Sequence, residues 1–356
     1  MMETVERKET KPEKVGIITL YYNNDNYGGI AQAYALNEYI SKLGMDSELI
    51  SYRRSPVRPI GTKEKIQKDG MCHVLLEKLE CLPQKIYYRN ENRKAQKRYG
   101  EKLADKLIMR KKAFANSREK IRHSEVVTED TIEEKLGNKY DWYVSGSDQI
   151  WKPGVLQNPY LFTFLDESKK RFSYASSITV TEFPEAYGET MQNGLKNYKW
   201  ISVREQSAKV YLEALLDRTV DVVVDPTLLL DQEDWNKVTA ERQVDGKYLF
   251  AYFLGDNRIQ RKRVQEFAKQ NNLKIVTLPH VEGKVRASDI GFGDIELYDI
   301  DLAKFFSLIK YAEYVCTDSF HAVVFSNIFE TNFYVVVFLS VKRSIYRTFS
   351  LYLHCE

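Results

Sequence analysis

One segment near the end of the chain combines the residue types needed to bind an anion and to give it a proton. The sequence TDSFHAVVFS (317–326) follows a predicted strand and begins a predicted helix near Ser319. Ser319 or Asp318 can cap this helix by accepting a backbone N–H, and both are expected to help bind an anionic donor. His321 then lies in the first turn, where the helix end favours an anion, and could act as a general acid. The simpler alternative is a histidine that only caps or packs.

Arg204 lies where a second predicted strand, within WISVRE (200–205), passes into a helix. A guanidinium at this point can form paired hydrogen bonds to a carboxylate or a phosphate. The alternative is a salt bridge to Glu205 or to a neighbouring helix. Arg204 is therefore a candidate for binding an anionic donor.

The segment VSGSDQIW (144–151) is a predicted strand that ends in a loop of small residues. Gly146 allows a backbone to approach a ligand closely, and Ser147, which follows it, is expected to contact the acceptor. Asp148 could take a proton from an acceptor hydroxyl, and Trp151 could stack on a sugar. The alternatives are an N-cap or Asx-turn for Asp148 and core packing for Trp151.

The turn cluster NNDNYGG (23–29) follows the first predicted strand, KVGIITLYY (14–22). Its pattern is not GxGxxG, and no acidic ribose partner follows, so we reject a dinucleotide site. Asn26 and Gln32 are expected to form hydrogen bonds to an acceptor, and Tyr27 and Gly28 beside them are expected to contact it. The alternative is turn chemistry alone. A further motif, Asp225–Pro226–Thr227, is interpreted as mainly structural.

Strands and helices alternate along most of the chain, which predicts an α/β protein with parallel sheets. We expect a disordered tail at 1–14, a Rossmann-like domain at 15–235 and a second Rossmann-like domain at 246–356. Ligands of such sheets gather at the carboxyl ends of the strands, so the chemistry is expected in a cleft between the two domains.

Residues 56–130 interrupt the alternation with a long helical pattern, interpreted as an insertion in the first domain. They carry 19 Lys and Arg against 11 Asp and Glu, whereas the whole chain has a net charge of only +3. The overall charge gives no argument for nucleic-acid binding. We favour a solvated insertion. The alternative is a surface for anionic glycans, lipid head groups or a membrane face, with 74–123 as the contact.

The chain is expected to be cytoplasmic, or at the inner face of the membrane. Its first 15 residues are charged and lack the apolar core of a signal peptide. The four cysteines form no CxxC pair and match no zinc template, so no metal site is expected.

Together, NYGGIAQAYAL, VSGSDQIW, SVRE, VVVDPTLLL and TDSFHAVVFS resemble the polysaccharide pyruvyl transferase family, over about residues 14–338. The resemblance implies two GT-B-like domains and transfer of the enolpyruvyl group of phosphoenolpyruvate to a sugar, releasing phosphate. The acceptor would belong to a surface polysaccharide or its lipid-linked precursor. No cofactor beyond the co-substrate is implied. His321 matches the family's active-site histidine, and Arg204 matches its donor-binding arginine.

The last 17 residues (340–356) look too short for the closing helix of a GT-B-like protein, so a shortened end is expected. Two other functions remain open. One is a GT-B-type glycosyltransferase that uses a nucleotide-sugar, because a fold does not fix a function. The other is a non-catalytic glycan-binding relative.

Overall fold

The protein is seen in a computed structural model. The structure describes residues 11–55, 71, 75, 79, 82–100, 102–180, 185–280, 286–336 and 351–352. These residues form two compact units. Unit 1 holds the residues through 55 together with Arg118–Leu230. Unit 2 holds the described residues from 71 to Ser117 and those from Asp231 onward.

The strands build two sheets of six and one small pair. In chain order they are β1 (Lys14–Ile18), β2 (Asp46–Tyr52), β3 (His123–Val127), β4 (Trp142–Ser145), β5 (Lys170–Ser173), β6 (Tyr198–Trp200), β7 (Ser202–Val203), β8 (Asp221–Val222), β9 (Tyr248–Tyr252), β10 (Lys274–Thr277), β11 (Ile295–Glu296), β12 (Tyr314–Thr317), β13 (Phe333–Val336) and β14 (Leu351–Tyr352).

The helices pack around these sheets or lead into them. They are α1 (Tyr27–Lys42), α2 (Leu82–Tyr99), α3 (Lys102–Glu119), α4 (Ile132–Leu136), α5 (Glu185–Leu195), α6 (Gln206–Leu216), α7 (Gln232–Val238), α8 (Arg258–Gln270), α9 (Leu302–Lys310) and α10 (Phe320–Ile328). Single 3₁₀ turns lie at Asn158–Leu161, Pro226–Leu228 and Ala287–Asp289. No helix in these ranges is both long and apolar enough to cross a bilayer.

The sheet of unit 1 has the strand order β3-β2-β1-β4-β5-β6, and all its pairs are parallel. This is the Rossmann order, in which the chain reverses direction between the first and the fourth strand. Its core includes Ile18, Tyr143 and Trp151, each fully buried. Helix α1 begins at its N-cap Asn26 and ends before Gly44, whose φ of +86° gives the left-handed stop that the sequence predicts.

The sheet of unit 2 repeats this order as β11-β10-β9-β12-β13-β14. Its pairs are parallel except that β14 runs antiparallel to β13. Buried Leu249 and Ala251 of β9 pack with Val264 of α8 and with Cys316 of β12. The prediction of two Rossmann-like α/β units with parallel sheets is therefore confirmed.

The helices α2 and α3 are inserted in the sequence of unit 1, between β2 and β3, but most of their length belongs to unit 2. Arg110 of α3 is buried and donates hydrogen bonds to the carbonyl oxygens of Tyr298, Pro279 and Leu297 at 3.1–3.2 Å. Further along α3, the Ser117 hydroxyl accepts from the Leu302 N–H at 2.9 Å. The expectation of a solvated insertion is therefore wrong for α3, which has one face packed on the rest of unit 2.

The division of the chain differs from the expected domains near residue 231. The sequence predicts a first domain that extends to 235, but Trp235 of α7 is fully buried in unit 2. Its ring packs edge-on against Phe306 at 5.0 Å and Phe325 at 4.8 Å. Burial of this aromatic side chain places α7 with the second sheet.

Two expectations at the chain ends fall mainly outside the described residues. The tail expected at 1–14 overlaps them only at 11–14, and Lys14 already belongs to β1, where its N–H donates to Asp141 at 2.8 Å. The shortened end expected at 340–356 overlaps them only at Leu351–Tyr352, which form β14.

Candidate active site

Both sheets place their first strand beside their fourth, and each reversal brings two loops together. In sheets of this kind, ligands bind outside the carboxyl ends of the strands at the reversal. In unit 1 the loops after β1 and β4 contain Asn26 and Asp148. In unit 2 the loops after β9 and β12 contain residues 253–257 and Asp318–Ser319, directly before His321.

His321 lies in the first turn of α10, as the sequence predicts, and its side chain is half-buried. Ser319 is the N-cap residue, and its hydroxyl accepts from the Ala322 N–H at 3.5 Å. The Phe320 ring, 50% exposed, packs edge-on against the imidazole with 5.0 Å between ring centroids. The first N–H groups of a helix have no intrahelical acceptor, so His321 sits where an anion is stabilised.

Asp318, expected to bind the donor, has a structural position instead. One carboxylate oxygen accepts from the Leu254 N–H at 2.6 Å and the other from the Gly255 N–H at 2.8 Å. These bonds tie the loop after β9 to the loop after β12. A carboxylate would also repel an anionic donor, so we correct the expected role of Asp318 to holding the loop beside His321.

Arg204 follows β7 in unit 1 and is anchored by a buried carboxylate. Its Nη1 donates to Asp225 Oδ2 at 2.6 Å, and the Asp225 side chain has no exposed surface. The neighbouring Glu205 is more distant, with 4.0 Å between Arg204 Nε and its Oε1. The salt bridge expected with Glu205 is therefore secondary. The Glu205 carboxylate instead accepts from the Ser177 hydroxyl.

The Asp225 carboxylate also contacts the residues after β4 and β8. Its Oδ1 accepts from the Thr227 N–H at 3.0 Å and from the Thr227 hydroxyl at 2.7 Å, which caps the 3₁₀ turn after β8. Ser147 Oγ lies 3.5 Å from Asp225 Oδ2. Burial raises the pKa of nearby Tyr174 to about 12, and the negative charge of Asp225 adds to the rise. The Asp225–Pro226–Thr227 motif therefore has a structural part, as predicted, and in addition its Asp225 orients Arg204.

Gln32, expected to contact an acceptor, is fully buried with its amide group committed to the protein. Its Nε2 donates to Thr19 Oγ1 at 2.9 Å and to the Gly29 carbonyl at 2.7 Å. Its Oε1 accepts from the Ser147 N–H at 3.1 Å. Gln32 therefore joins α1 to the loop after β4, and this bonding replaces the contact that we expected with an acceptor.

Several other expected acceptor contacts are buried as well. Ser147 is fully buried and donates to the Ala175 carbonyl at 3.0 Å. Trp151 is fully buried, its Nε1 donates to the Tyr160 carbonyl, and its ring has no exposed face for a sugar. Tyr27 and Gly28 lie buried in the first turn of α1. We therefore assign these residues to packing and loop position, which corrects their expected acceptor role.

Asp148 and Asn26 are the predicted acceptor-side residues that stay partly exposed. Asn26 is the N-cap of α1, where its Oδ1 accepts from the Gly29 N–H at 3.1 Å. Asp148 has a φ of +65°, and its Oδ2 lies 3.5 Å from where a Cβ on Gly29 would be. The Asp148 carboxylate therefore lies beside the positive end of α1, which stabilises its charge.

Unit 2 supplies an imidazole at a helix N-terminus, and unit 1 supplies a guanidinium anchored by a carboxylate and, separately, a partly exposed carboxylate. Such groups suit the binding of an anion and the movement of protons. Within the ranges that the structure describes, no three His, Cys, Asp or Glu side chains are grouped so that they could hold a metal ion.

Several solved structures resemble this chain in fold. A crystal structure of UDP-N-acetylglucosamine 2-epimerase matches with a TM-score of 0.50 and 11% identity, over 94% of this chain and 80% of that chain. A putative UDP-N-acetylglucosamine 2-epimerase from Listeria monocytogenes gives 0.48 and 12%, over 87% and 75%. An E. coli heptosyltransferase gives 0.40 and 10%, over 93% and 91%. At such identities the likeness concerns the fold alone, which is of the GT-B type.

A comparison with curated proteins finds no match to this sequence. The family model described as Polysaccharide pyruvyl transferase matches residues 26–338. This range contains both strand reversals, Arg204 with its partner Asp225, and the helix of His321. The chain therefore belongs to the polysaccharide pyruvyl transferase family, a family of transferases.

Proposed function

We propose that this protein transfers the pyruvyl group of phosphoenolpyruvate to a sugar of a surface polysaccharide or of its lipid-linked precursor. The observation that carries the proposal is the position of His321, in the first turn of α10 at the strand reversal of unit 2. The match to the family over residues 26–338 supports it. A phosphate or carboxylate is favoured at this helix end, and the imidazole beside it can supply a proton.

The proposed reaction balances without a further reactant. A proton adds to the methylene carbon of phosphoenolpyruvate, which becomes a methyl group, and the neighbouring carbon becomes electrophilic. One sugar hydroxyl adds to that carbon, the C–O bond to phosphate breaks, and a second hydroxyl closes the cyclic ketal. The two hydroxyl protons replace the proton given to the methylene carbon and the one taken by the leaving phosphate.

Each chemical task has a candidate side chain. His321 supplies the proton to the donor or neutralises charge on the leaving phosphate. Arg204, held by Asp225 at 2.6 Å, is proposed to bind the donor carboxylate through its fixed guanidinium. Asp148 is proposed to accept a proton from an acceptor hydroxyl. Fixed charged groups of this kind stabilise a transition state because they need no reorganisation during the reaction.

The alternatives of a nucleotide-sugar glycosyltransferase and of a non-catalytic glycan-binding relative predict different products. The GT-B fold is compatible with the glycosyltransferase, but the family match favours the pyruvyl transferase. Phosphate release from phosphoenolpyruvate that requires a glycan would support our proposal. Release of a nucleoside diphosphate from a nucleotide-sugar would support the glycosyltransferase. Binding of glycan with neither release would support the non-catalytic relative.

The decisive variant is His321→Ala, with His123→Ala as the matched control on an exposed histidine in unit 1. Loss of a general acid costs roughly 10²–10⁴-fold in rate, so we expect phosphate release by His321→Ala to fall by at least ~10²-fold. The control should keep its rate, and both variants should keep the circular dichroism spectrum of the parent. Equal rates in the two variants would remove His321 from the mechanism.

We also propose peripheral contact with an anionic membrane through one face of the insertion. Positions 71, 75, 79, 82 and 86 repeat at helical spacing, and their apolar side chains are 49–62% exposed. The surrounding segment 56–130 has an excess of basic residues. Exposed apolar residues next to a basic segment are typical of a contact with a membrane interface, which would bring the enzyme to a lipid-linked acceptor.

Sedimentation with phosphatidylglycerol vesicles tests this contact. Leu79→Glu should reduce the bound fraction several-fold, because a charge among these apolar residues opposes burial in the interface. The control is Met109→Glu on α3, which changes an exposed apolar residue outside this set. If the two variants sediment alike, this face is not the membrane contact.

A further inference from the structure

Most side chains that the sequence predicts to contact an acceptor sugar are buried, so further residues are needed to hold the sugar. Gln32, Ser147 and Trp151 are each fully buried. The proposed reaction also restricts where the sugar can lie, because two of its hydroxyl oxygens bond to the same carbon of the donor. Reacting atoms lie about 3–3.5 Å apart before a bond forms. The sugar must therefore lie directly beside the donor.

Phe320 presents an aromatic surface at the place where the donor is proposed to bind. It is the first residue of α10, and 50% of its surface is exposed. Its ring centroid lies 5.0 Å from the centroid of the His321 imidazole. A molecule that lies on the exposed part of this ring would therefore be the immediate neighbour of a donor that contacts His321.

Leu254 belongs to the same apolar surface. This residue of the loop after β9 is 39% exposed, and its N–H donates to Asp318 Oδ1 at 2.6 Å. Asp318 lies two positions before Phe320, so the carboxylate holds the two loops together. Single exposed apolar side chains are common in soluble proteins and need no explanation. Here two of them come from different loops that are tied beside His321.

A sugar ring has the chemistry that suits such a surface. Its C–H groups form an apolar face that can pack on an aromatic ring, while its hydroxyl groups lie around the edge and stay available for reaction. Phosphoenolpyruvate is charged at both its carboxylate and its phosphate, and an apolar surface does not replace the water around a charge. The aromatic surface therefore suits the acceptor, whereas the helix N-terminus beside it suits the anionic donor.

We propose that the acceptor sugar lies with its C–H face on the Phe320 ring, next to Leu254, so that the hydroxyl groups at its edge face the donor at His321. The proposal rests on the proposed function, because it takes His321 as the position of the donor. It gives unit 2 a part in acceptor binding, whereas the acceptor residues expected from the sequence all belong to unit 1.

Saturation-transfer NMR with hexyl β-D-glucopyranoside and hexyl β-D-galactopyranoside tests this contact without any turnover. The full-length protein carries protonated phenylalanine in a deuterated background, so saturation reaches only ligand protons that lie against a phenylalanine. We expect saturation of the C–H protons of the sugar ring in the parent. It should fall several-fold in Phe320→Leu, which keeps an apolar side chain but removes the aromatic protons. The control is Phe164→Leu, a partly exposed phenylalanine of unit 1, which should behave like the parent.

Three results would overturn the proposal. The first is no saturation of either glycoside at tens of millimolar. The second is equal saturation of the sugar ring in the parent and in Phe320→Leu. The third is saturation confined to the hexyl chain, which would mean that the surface holds the lipid part of an acceptor instead of its sugar.

Steady-state kinetics with the same glycosides separate this proposal from the proposed function. The KM for the glycoside should rise roughly tenfold in Phe320→Leu and recover in Phe320→Tyr, while the KM for phosphoenolpyruvate stays the same. A fall in kcat with an unchanged KM for the glycoside would show that the ring only supports the imidazole, which refutes the sugar contact but not the proposed function. Conversely, saturation through Phe320 without phosphate release from phosphoenolpyruvate would leave the sugar contact standing and count against the proposed function.

Discussion

The buried carboxylate of Asp225 offers a test of how the candidate donor residue is held. Asp225→Asn keeps the side-chain volume and an oxygen for the two Thr227 donors. It removes the negative charge that faces Arg204 Nη1 at 2.6 Å. Hydrogen bonds to charged groups contribute about 1.5–3 kcal/mol, so we expect the free energy of unfolding to fall by about 2 kcal/mol.

Asp225→Ala should cost more, because it also removes the cap of the 3₁₀ turn. Breaking a buried ion pair costs about 3–5 kcal/mol. Arg204 keeps 15% of its side-chain surface exposed, so water can solvate part of the stranded guanidinium. For Asp225→Ala we therefore expect the loss of the ion pair to lower the free energy of unfolding by about 3 kcal/mol, the lower end of that range. The loss of the cap should lower it by about 1 kcal/mol more.

The assay is urea denaturation of the parent, Asp225→Asn, Arg204→Gln and the double variant. If the two side chains form one unit, their double-mutant cycle should give a coupling energy of about 2 kcal/mol. Asp231→Asn is the control, because asparagine caps α7 as well as aspartate does. In kinetics, Asp225→Asn should raise the KM for phosphoenolpyruvate. A coupling energy below about 0.5 kcal/mol would refute the proposed support of Arg204.

Three further results are expected. Burial raises the pKa of Tyr52 and of Tyr174 to about 12; since the folded state holds these protons more tightly, the stability they contribute is complete below pH ~10 and falls as the pH rises towards 12. The absorbance at 295 nm of ionised tyrosine should therefore rise at a higher pH in the native protein than in the protein unfolded in guanidinium. Two coincident titration curves would contradict this. Arg110→Ala should lower the unfolding free energy by about 3 kcal/mol, since three carbonyl oxygens lose their donor, whereas exposed Lys111→Ala should change it by less than ~0.5 kcal/mol. Burial raises the pKa of the Cys316 thiol to about 12, so peptide mapping should find it unalkylated at pH 8 until the protein is denatured.

The sequence was sufficient for the two sheets and for the local position of His321. Apolar runs followed by polar residues show where parallel strands end, and Ser319 before a helical pattern shows where α10 begins. Both signals are local, because backbone hydrogen bonding and capping act over a few residues. The structure agrees, with Ser319 as the N-cap of α10.

The pairing of Arg204 with Asp225 was not predictable in the same way. The two residues are 21 positions apart, and they meet only because β7 and β8 pair in parallel. Trp151 was difficult for another reason: a tryptophan beside a polar loop is compatible both with a sugar-binding surface and with a buried core. Only the three-dimensional packing against Tyr198, at 6.4 Å between ring centroids, settles its burial.

The packed face of α3 is visible in the sequence as a helical spacing, but the many basic residues around it make it hard to recognise. Its buried residues Arg110, Ala113, Phe114 and Ser117 follow helical spacing, but basic residues surround them. Strand β3 was missed for a related reason, because HSEVV is only partly buried and gives no clear alternation. In both elements the partner surface is distant in sequence, so local patterns could not identify it.

The grouping of α2 and α3 with unit 2 has a consequence for the order of synthesis. The carbonyl oxygens that Arg110 binds belong to residues 169–188 positions further along the chain. Domains generally fold as units while the chain emerges from the ribosome, the N-terminal one first. Here unit 1 can fold while α2 and α3, which lie within its sequence, cannot yet pack because the rest of unit 2 has not been synthesised. A fragment that begins at Asp231 would lack these helices, whose Tyr99 packs with buried Tyr298, so we expect unit 2 to be less stable when expressed from that point.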